Sequence, residues 1–261
     1  MKNNYFTLII ILLILGIITF SSYGNLFLGN AVNRGYKGLY FLDEYGRLYV
    51  SGSAKFLGDL RFTDKIARDI ELTKNGYLIL DKYGNLFAFG DARVLGEAKT
   101  NDAVDLELTN NGYYVLNKNG TVFAFGDAKK YSDGNNDDYV DLELTNNGYY
   151  LLRSNGKVET FGDAVFYGDM ETKDIVDMGL TSKGYLILER NGKINAFGDA
   201  KDLGYDDGLK EAKDIEVVKK NKGYYILDGH GIAYSYLAFA GFPGPEYSEE
   251  DKYIDMEILE S

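Results

Sequence analysis

The sequence predicts an all-β fold: a six-bladed β-propeller closed by its C-terminal strand, preceded by an N-terminal signal peptide or membrane-anchor helix. Three observations carry the propeller. A unit of the form Gly-Tyr-x-x-Leu opens at Gly38, Gly76, Gly112, Gly148, Gly184 and Gly223, roughly every 36 residues, and is written GLYFL in the first copy. Within the units the apolar pattern has the period of strands, not helices: "DLELT" at 141–145 alternates strictly, with Leu142 and Leu144 on one face and Asp141, Glu143 and Thr145 on the other. By contrast, "YYVL" (113–116) and "VFAF" (122–125) are apolar on both faces and need cover on both. A two-layer sandwich covers one face of each sheet, whereas a propeller blade is packed between two neighbours. Finally, an alternating run precedes each unit from the second to the sixth but not the first, and a surplus run, "IDMEIL" (254–259), follows the last. Lending that strand to the first blade would close the ring and remove its open sheet edges.

Taken in order, residues 1–24 read as a signal peptide or signal anchor. Lys2 is the only charge before the apolar run 5–20, and Ser22 and Gly24 supply the small residues of a cleavage site. The run is 16 residues, shorter than the roughly 20 that span a bilayer comfortably. Cut or retained, it leaves Lys2 inside and carries the rest across the membrane. Localisation is therefore expected to be extracytoplasmic: periplasmic, cell-surface or secreted, with inner-membrane anchoring if the segment is kept. Residues 25–35 are a linker, although "YGNLFLGNA" (23–31) resembles "YGNLFAFGDA" (83–92) with one residue missing. Residues 36–261 form the propeller of six ~36-residue repeats. Each repeat continues through a Gly-containing turn, for example "NKNG" (117–120) or "RSNG" (153–156), then a second apolar run ending in FGDA or a variant of it, and a variable polar loop.

Composition excludes several classes of function. The formal net charge is −12, so there is no basic footprint for nucleic acid. The absence of cysteine removes disulfides, thiolate metal sites and Cys nucleophiles, and the single His, His230, removes multi-His metal sites. No cofactor is expected.

The recurrent polar residues favour architecture over catalysis. Asp91, Asp127, Asp163 and Asp199 of FGDA read as turn caps beside a permissive Gly. Glu71, Glu107, Glu143, Glu216 and Glu257 form a candidate channel ring if the alternating strand is innermost; the fourth copy has Gly179 instead. Two carboxylates about 8 Å apart at an effective dielectric near 20 repel by roughly 2 kcal/mol. Lysines, water, protonation or a bound cation would relieve such a ring. The stretch "SDGNNDD" (132–138) starts like a calcium loop but lacks its Gly and closing Glu, and reads as a polar loop. His230 reads as an exposed turn residue. The last copy departs most from the others, and Tyr234, Tyr236, Phe239, Phe242 and Tyr247 are its candidate contact patch, with packing of the closing blade as the alternative.

The best-matched strings, "GYLILDKYGNLFAFGDA" and its two successors, resemble a bacterial secreted repeat of the GYW/FGDA type. They are similar, more distantly, to repeats of the regulator of chromosome condensation family, which form propellers. That resemblance implies the fold and little about activity, because those families serve as binding and scaffold modules with varied partners. This chain lacks the second family's His-Thr, Trp-Gly and Gly-Gln-Leu-Gly signatures, so a chromatin or nucleotide-exchange role is not transferred to it, and the expected export signal argues against one. The expected function is an exported, non-enzymatic module presenting loops to a protein or glycan partner in the cell envelope. The alternatives are a glycan-binding lectin and a hydrolase using channel carboxylates.

Overall fold

A computed structural model describes residues 36–205, 209, 211–218, 223–238, 244–245, 247–250 and 252–260. The expected leader and linker, 1–35, lie outside the described residues. Eighteen strands follow in chain order: β1 (Tyr36–Asp43), β2 (Leu48–Gly52), β3 (Ala67–Leu72), β4 (Tyr77–Asp81), β5 (Leu86–Phe89), β6 (Ala103–Leu108), β7 (Gly112–Asn117), β8 (Val122–Gly126) and β9 (Tyr139–Leu144). They continue with β10 (Gly148–Arg153), β11 (Val158–Gly162), β12 (Ile175–Leu180), β13 (Gly184–Glu189), β14 (Ile194–Gly198), β15 (Ala212–Val218), β16 (Gly223–Asp228), β17 (Ala233–Tyr236) and β18 (Tyr253–Glu260).

These strands form six three-stranded antiparallel sheets, consistent with six blades of a propeller. Sheet one has the order β18-β1-β2, and sheets two to six each take three consecutive strands from β3 onward. The C-terminal run therefore does pair with the first unit: Leu39 faces Ile258, Phe41 faces Met256 and Leu42 faces Asp255. The inner strands neighbour one another in the order β3, β6, β9, β12, β15, β18, with β18 also beside β3.

The both-face apolar pattern of the middle strands has the expected consequence. Every residue of β4, β7, β13 and β16 is buried. The third strand of each copy is less enclosed: in β8 only Val122 is buried, while Phe123, Ala124 and Phe125 are half-buried. It is an edge strand of its sheet, so its second face is only partly covered. Six core clusters fill the spaces between consecutive sheets. One joins Leu80 and Leu86 to Leu106 and Val115, and an equivalent one joins Leu227 and Tyr225 of sheet six to Leu39, Phe41 and Met256 of sheet one.

Two glycines per repeat make the tight spacing possible. A Cβ at Gly76 would lie 2.1 Å from the Phe89 carbonyl oxygen across the ladder, so only a bare Cα fits. Gly90 of the first FGDA has φ +70°, a left-handed turn that a side chain disfavours. The Asp that follows fastens this turn. Asp91 accepts hydrogen bonds from the Thr73 hydroxyl and, at 3.1 Å, from the Asn75 N–H. Asp163 does the same with Thr145 and Asn147, and Asp199 with Thr181 and Lys183.

Candidate functional site

The inner strands carry the sequence Asp-x-Glu, and the ladder shows how they aim it. In every sheet the register between inner and middle strand slips just before the Asp, for example between Ala67 and Asp69 and between Ala103 and Asp105. A bulge of this kind bends the strand and redirects the next side chain. Asp69, Asp105, Asp141, Asp177, Asp214 and Asp255 all follow such a bulge. Four of them reach the next sheet. Asp69 Oδ2 accepts the Leu106 N–H at 2.5 Å, Asp105 Oδ2 the Leu142 N–H at 3.0 Å, Asp177 Oδ2 the Ile215 N–H at 2.6 Å and Asp255 Oδ2 the Ile70 N–H at 2.6 Å. Asp141 Oδ2 has no such partner. At Asp214 the pattern breaks: the Met256 N–H turns to its own Asp255 Oδ1 at 2.7 Å.

The five predicted channel residues Glu71, Glu107, Glu143, Glu216 and Glu257 stand two positions beyond these aspartates, on the same strand face, and are half-buried. Glu71 feels the charges of Glu107 and Glu216, and Glu257 those of Glu71, Glu216 and Glu143. Gly179 interrupts the set for a steric reason, since a Cβ there would lie 2.4 Å from Val217 Cγ2. The result is eleven carboxylates around one interior. Desolvation first, and then neighbouring carboxylates, push Asp69, Glu71, Glu107, Asp141, Asp214 and Glu257 well above the usual carboxylate range. Asp177 is pushed up to about 7 by desolvation, against the lowering effect of its hydrogen bonds with Asp214 and the Ile215 and Met178 backbone. Among the described residues, no three of these groups already converge tightly enough to seat a metal ion directly.

The aspartates were missed as a candidate set, although the signal was present. Asp recurs in all six alternating runs, including "DMGL", where the Glu is absent.

A second set of side chains fastens the outer parts of the joints. The first Tyr of the repeat is fully buried, and its hydroxyl grips the segment that arrives from the preceding sheet. Tyr77 donates to the Gly58 carbonyl at 2.6 Å and accepts the Leu57 N–H at 2.9 Å. Tyr113 donates to Gly96 at 2.6 Å and accepts the Leu95 and Gly96 N–H groups at 2.8 Å. Tyr149, Tyr185 and Tyr224 repeat the pattern with Ser132, Gly168 and Gly204.

The candidate contact patch is divided. Tyr234 and Tyr236 on β17 are half-buried and pack against the core between sheets five and six, and the Tyr236 ring lies 5.1 Å from that of Tyr224. Tyr247 is 62% exposed and stacks on His230, at 5.4 Å between ring centroids. Phe239 and Phe242 lie outside the described residues. His230 is half-buried rather than exposed, because its Nδ1 sits 2.9 Å from the Ser248 carbonyl oxygen and Tyr247 covers its ring. In the 132–138 loop, Asp133 accepts the Val122 N–H at 2.8 Å and pairs with Lys130 at 2.6 Å, so it serves the loop itself.

A groove of about 770 Å³ crosses sheets four to six on the face that carries the inner-to-middle turns and the FGDA turns. Its polar lining includes Thr145, Asn146, Asp163, Ser182, Lys183, Asp199 and Lys201, and its apolar lining includes Leu180 and Val217. Sequence reading did not find it, because its residues come from turns that only the stacking of sheets brings side by side.

No protein-family model matches the chain, and no curated protein matches it. The GYW/FGDA and chromosome-condensation resemblances thus have no sequence-family support. Solved structures do match. The computationally designed protein Ika8 superposes with a TM-score of 0.50 at 14% identity, over 83% of this chain and 77% of that one. Hsv2 of Kluyveromyces lactis with loop 6CD replaced by a Gly-Ser linker gives 0.47 at 11% identity, over 81% and 77%. Apo AztD from Citrobacter koseri gives 0.46 at 8% identity, over 81% and 71%. At such identities the likeness concerns fold alone, and it is the likeness to Ika8 that supports a repeat, propeller-like arrangement of these six sheets.

Proposed function

We propose that this chain is an exported, non-enzymatic binding or scaffold module built on a six-bladed propeller that β18 closes. Closure is supported by the pairing of β18 with β1, by its position beside both β15 and β3, and by a backbone hydrogen bond that recurs at every joint. That bond runs from Ala67 N–H to Glu44, from Ala103 to Lys82, from Tyr139 to Lys118, from Ile175 to Ser154, from Ala212 to Arg190 and, at the closing joint, from Tyr253 to Gly229 at 3.0 Å.

The observation that carries the binding role is the groove across sheets four to six. Turns on a rigid frame are the usual carriers of specificity. Hydroxyl, amide, carboxylate and ammonium groups here border an apolar floor, a combination suited to a polar chain such as a peptide segment or a glycan of the cell envelope. Ser182 lies exposed on the turn between β12 and β13, so Ser182→Trp fills the groove without touching the core. Wild-type protein and S182W are compared on a glycan array and in capture from the native envelope. A ligand held by the wild type and lost with S182W supports the reading, and its nature separates glycan from protein. Equal retention by both, or none by either, contradicts it.

A further inference from the structure

Besides the groove, the molecule contains the acidic interior, which neither the binding reading nor the fold uses in full. Its charge is concentrated: six aspartates and five glutamates share one space. Every charged group among the leading influences on Asp69, Asp105, Asp141, Asp177, Asp214, Glu71, Glu107 and Glu257 is another carboxylate. The influences also cross the interior, since Asp105 feels Asp177 and Asp255, and Glu257 feels Glu143.

A second observation concerns individual atoms. Asp141 is 4% exposed and Asp214 is 8% exposed, yet Oδ2 of each has no hydrogen-bond partner. A buried acceptor left without a donor carries a desolvation cost of about 1–3 kcal/mol, more when charged. Both carboxylates interact with Asp177, which stands between them in the order of sheets, so their free oxygens belong to the same interior. Among the described residues, the charged groups that act most strongly on both are other carboxylates.

We infer that the interior binds a hard divalent cation of the Ca²⁺ type, held between the aspartate and glutamate sets with Asp141 and Asp214 turned toward it. The donor set consists of oxygen alone, which selects Ca²⁺ over the metals that favour His or Cys. Ca²⁺ tolerates irregular shells that include water. That property fits a site in which, among the described residues, no three carboxylates are already drawn together. Mg²⁺ demands near-octahedral geometry and is the poorer match. The inference is independent of what the groove binds.

The test uses the full-length protein in detergent, stripped with EDTA and titrated with Ca²⁺ alone at neutral pH by calorimetry and equilibrium dialysis. One saturable Ca²⁺ per chain is expected, with affinity in the millimolar range or tighter as in extracellular modules, together with a rise in Tm. Asp141→Asn combined with Asp214→Asn preserves shape and is expected to weaken binding by about tenfold or more. Asp127→Asn, on a surface turn away from the interior, should leave binding unchanged. If the double variant fails to fold, Glu107→Gln with Glu143→Gln replaces it, with the same expectation. Absence of saturable binding up to about 10 mM overturns the inference. So does undiminished binding by the folded variants, which would place the ion elsewhere.

Discussion

Five of the six joints between sheets are fastened alike, and the joint between sheet six and sheet one is fastened differently. At all five regular joints a buried Tyr hydroxyl grips the incoming segment, and at four of them an inner-strand Asp also accepts an N–H from the next sheet. At the sixth joint the Tyr position is Leu39, which has no hydroxyl, and Asp214 Oδ2 has no partner. Packing takes their place there. Phe41 stands where the other repeats have Ile79, Val115, Leu151, Ile187 or Ile226, and it is fully buried with Met256, Tyr253 and Leu227. The extra ring volume at position 41 offsets the ring lost at position 39. Directional polar latches thus hold joints formed by continuous chain, while apolar packing and strand pairing hold the joint where the two ends of the described chain meet.

Two substitutions sharpen this contrast. The larger effect is expected at the sixth joint: Phe41→Ala should cost about 3–5 kcal/mol, because the cavity opens where packing is the principal fastening. Chemical denaturation reads it as a lower midpoint with an unchanged slope. A cost below about 1 kcal/mol, typical of an average substitution, would mean that packing does not hold that joint. The smaller effect belongs to a regular joint. Tyr113→Phe keeps the ring but leaves the Leu95 and Gly96 N–H groups and the Gly96 carbonyl without their partner, for about 1–3 kcal/mol by the same measurement. A neutral result would show that water replaces the hydroxyl and that the Tyr grip is not a fastening.

The difference between the joints also explains what could be read in advance. Strand identity, blade count and the pairing of the last run with the first unit were legible, because they depend on local period and on counting repeats. The alternation of "DLELT" placed Glu143 in the interior, and Asp141 shares its face. The aspartates nevertheless went unrecognised as a set. Their role arises from a bulge and from a backbone N–H in the next sheet, about 37 residues away, neither of which leaves a mark in a single repeat. The Tyr latches were hidden for the same reason: a buried Tyr in "GYYVL" looks like any core aromatic until its hydroxyl finds the preceding segment. The third strand was read as covered on both faces because its composition matches the middle strand. Its outermost place in the sheet, not its sequence, leaves Phe123 and Phe125 half-buried.

The absence of cysteine from the chain permits a direct test of the pairing on which the proposed closure rests. Leu39 and Ile258 face each other across β1 and β18, whereas Leu259 lies one residue out of that register. Directly opposed residues of an antiparallel pair have Cα atoms about 4.5–5.5 Å apart, within disulfide range, while a one-residue slip turns the side chain to the other face. Oxidation of the Leu39→Cys, Ile258→Cys protein should therefore give an intramolecular disulfide with raised resistance to unfolding, and the Leu39→Cys, Leu259→Cys protein should stay largely reduced. Equal oxidation of the two proteins, or formation of intermolecular bridges alone, would contradict the pairing and with it the closure of the six sheets.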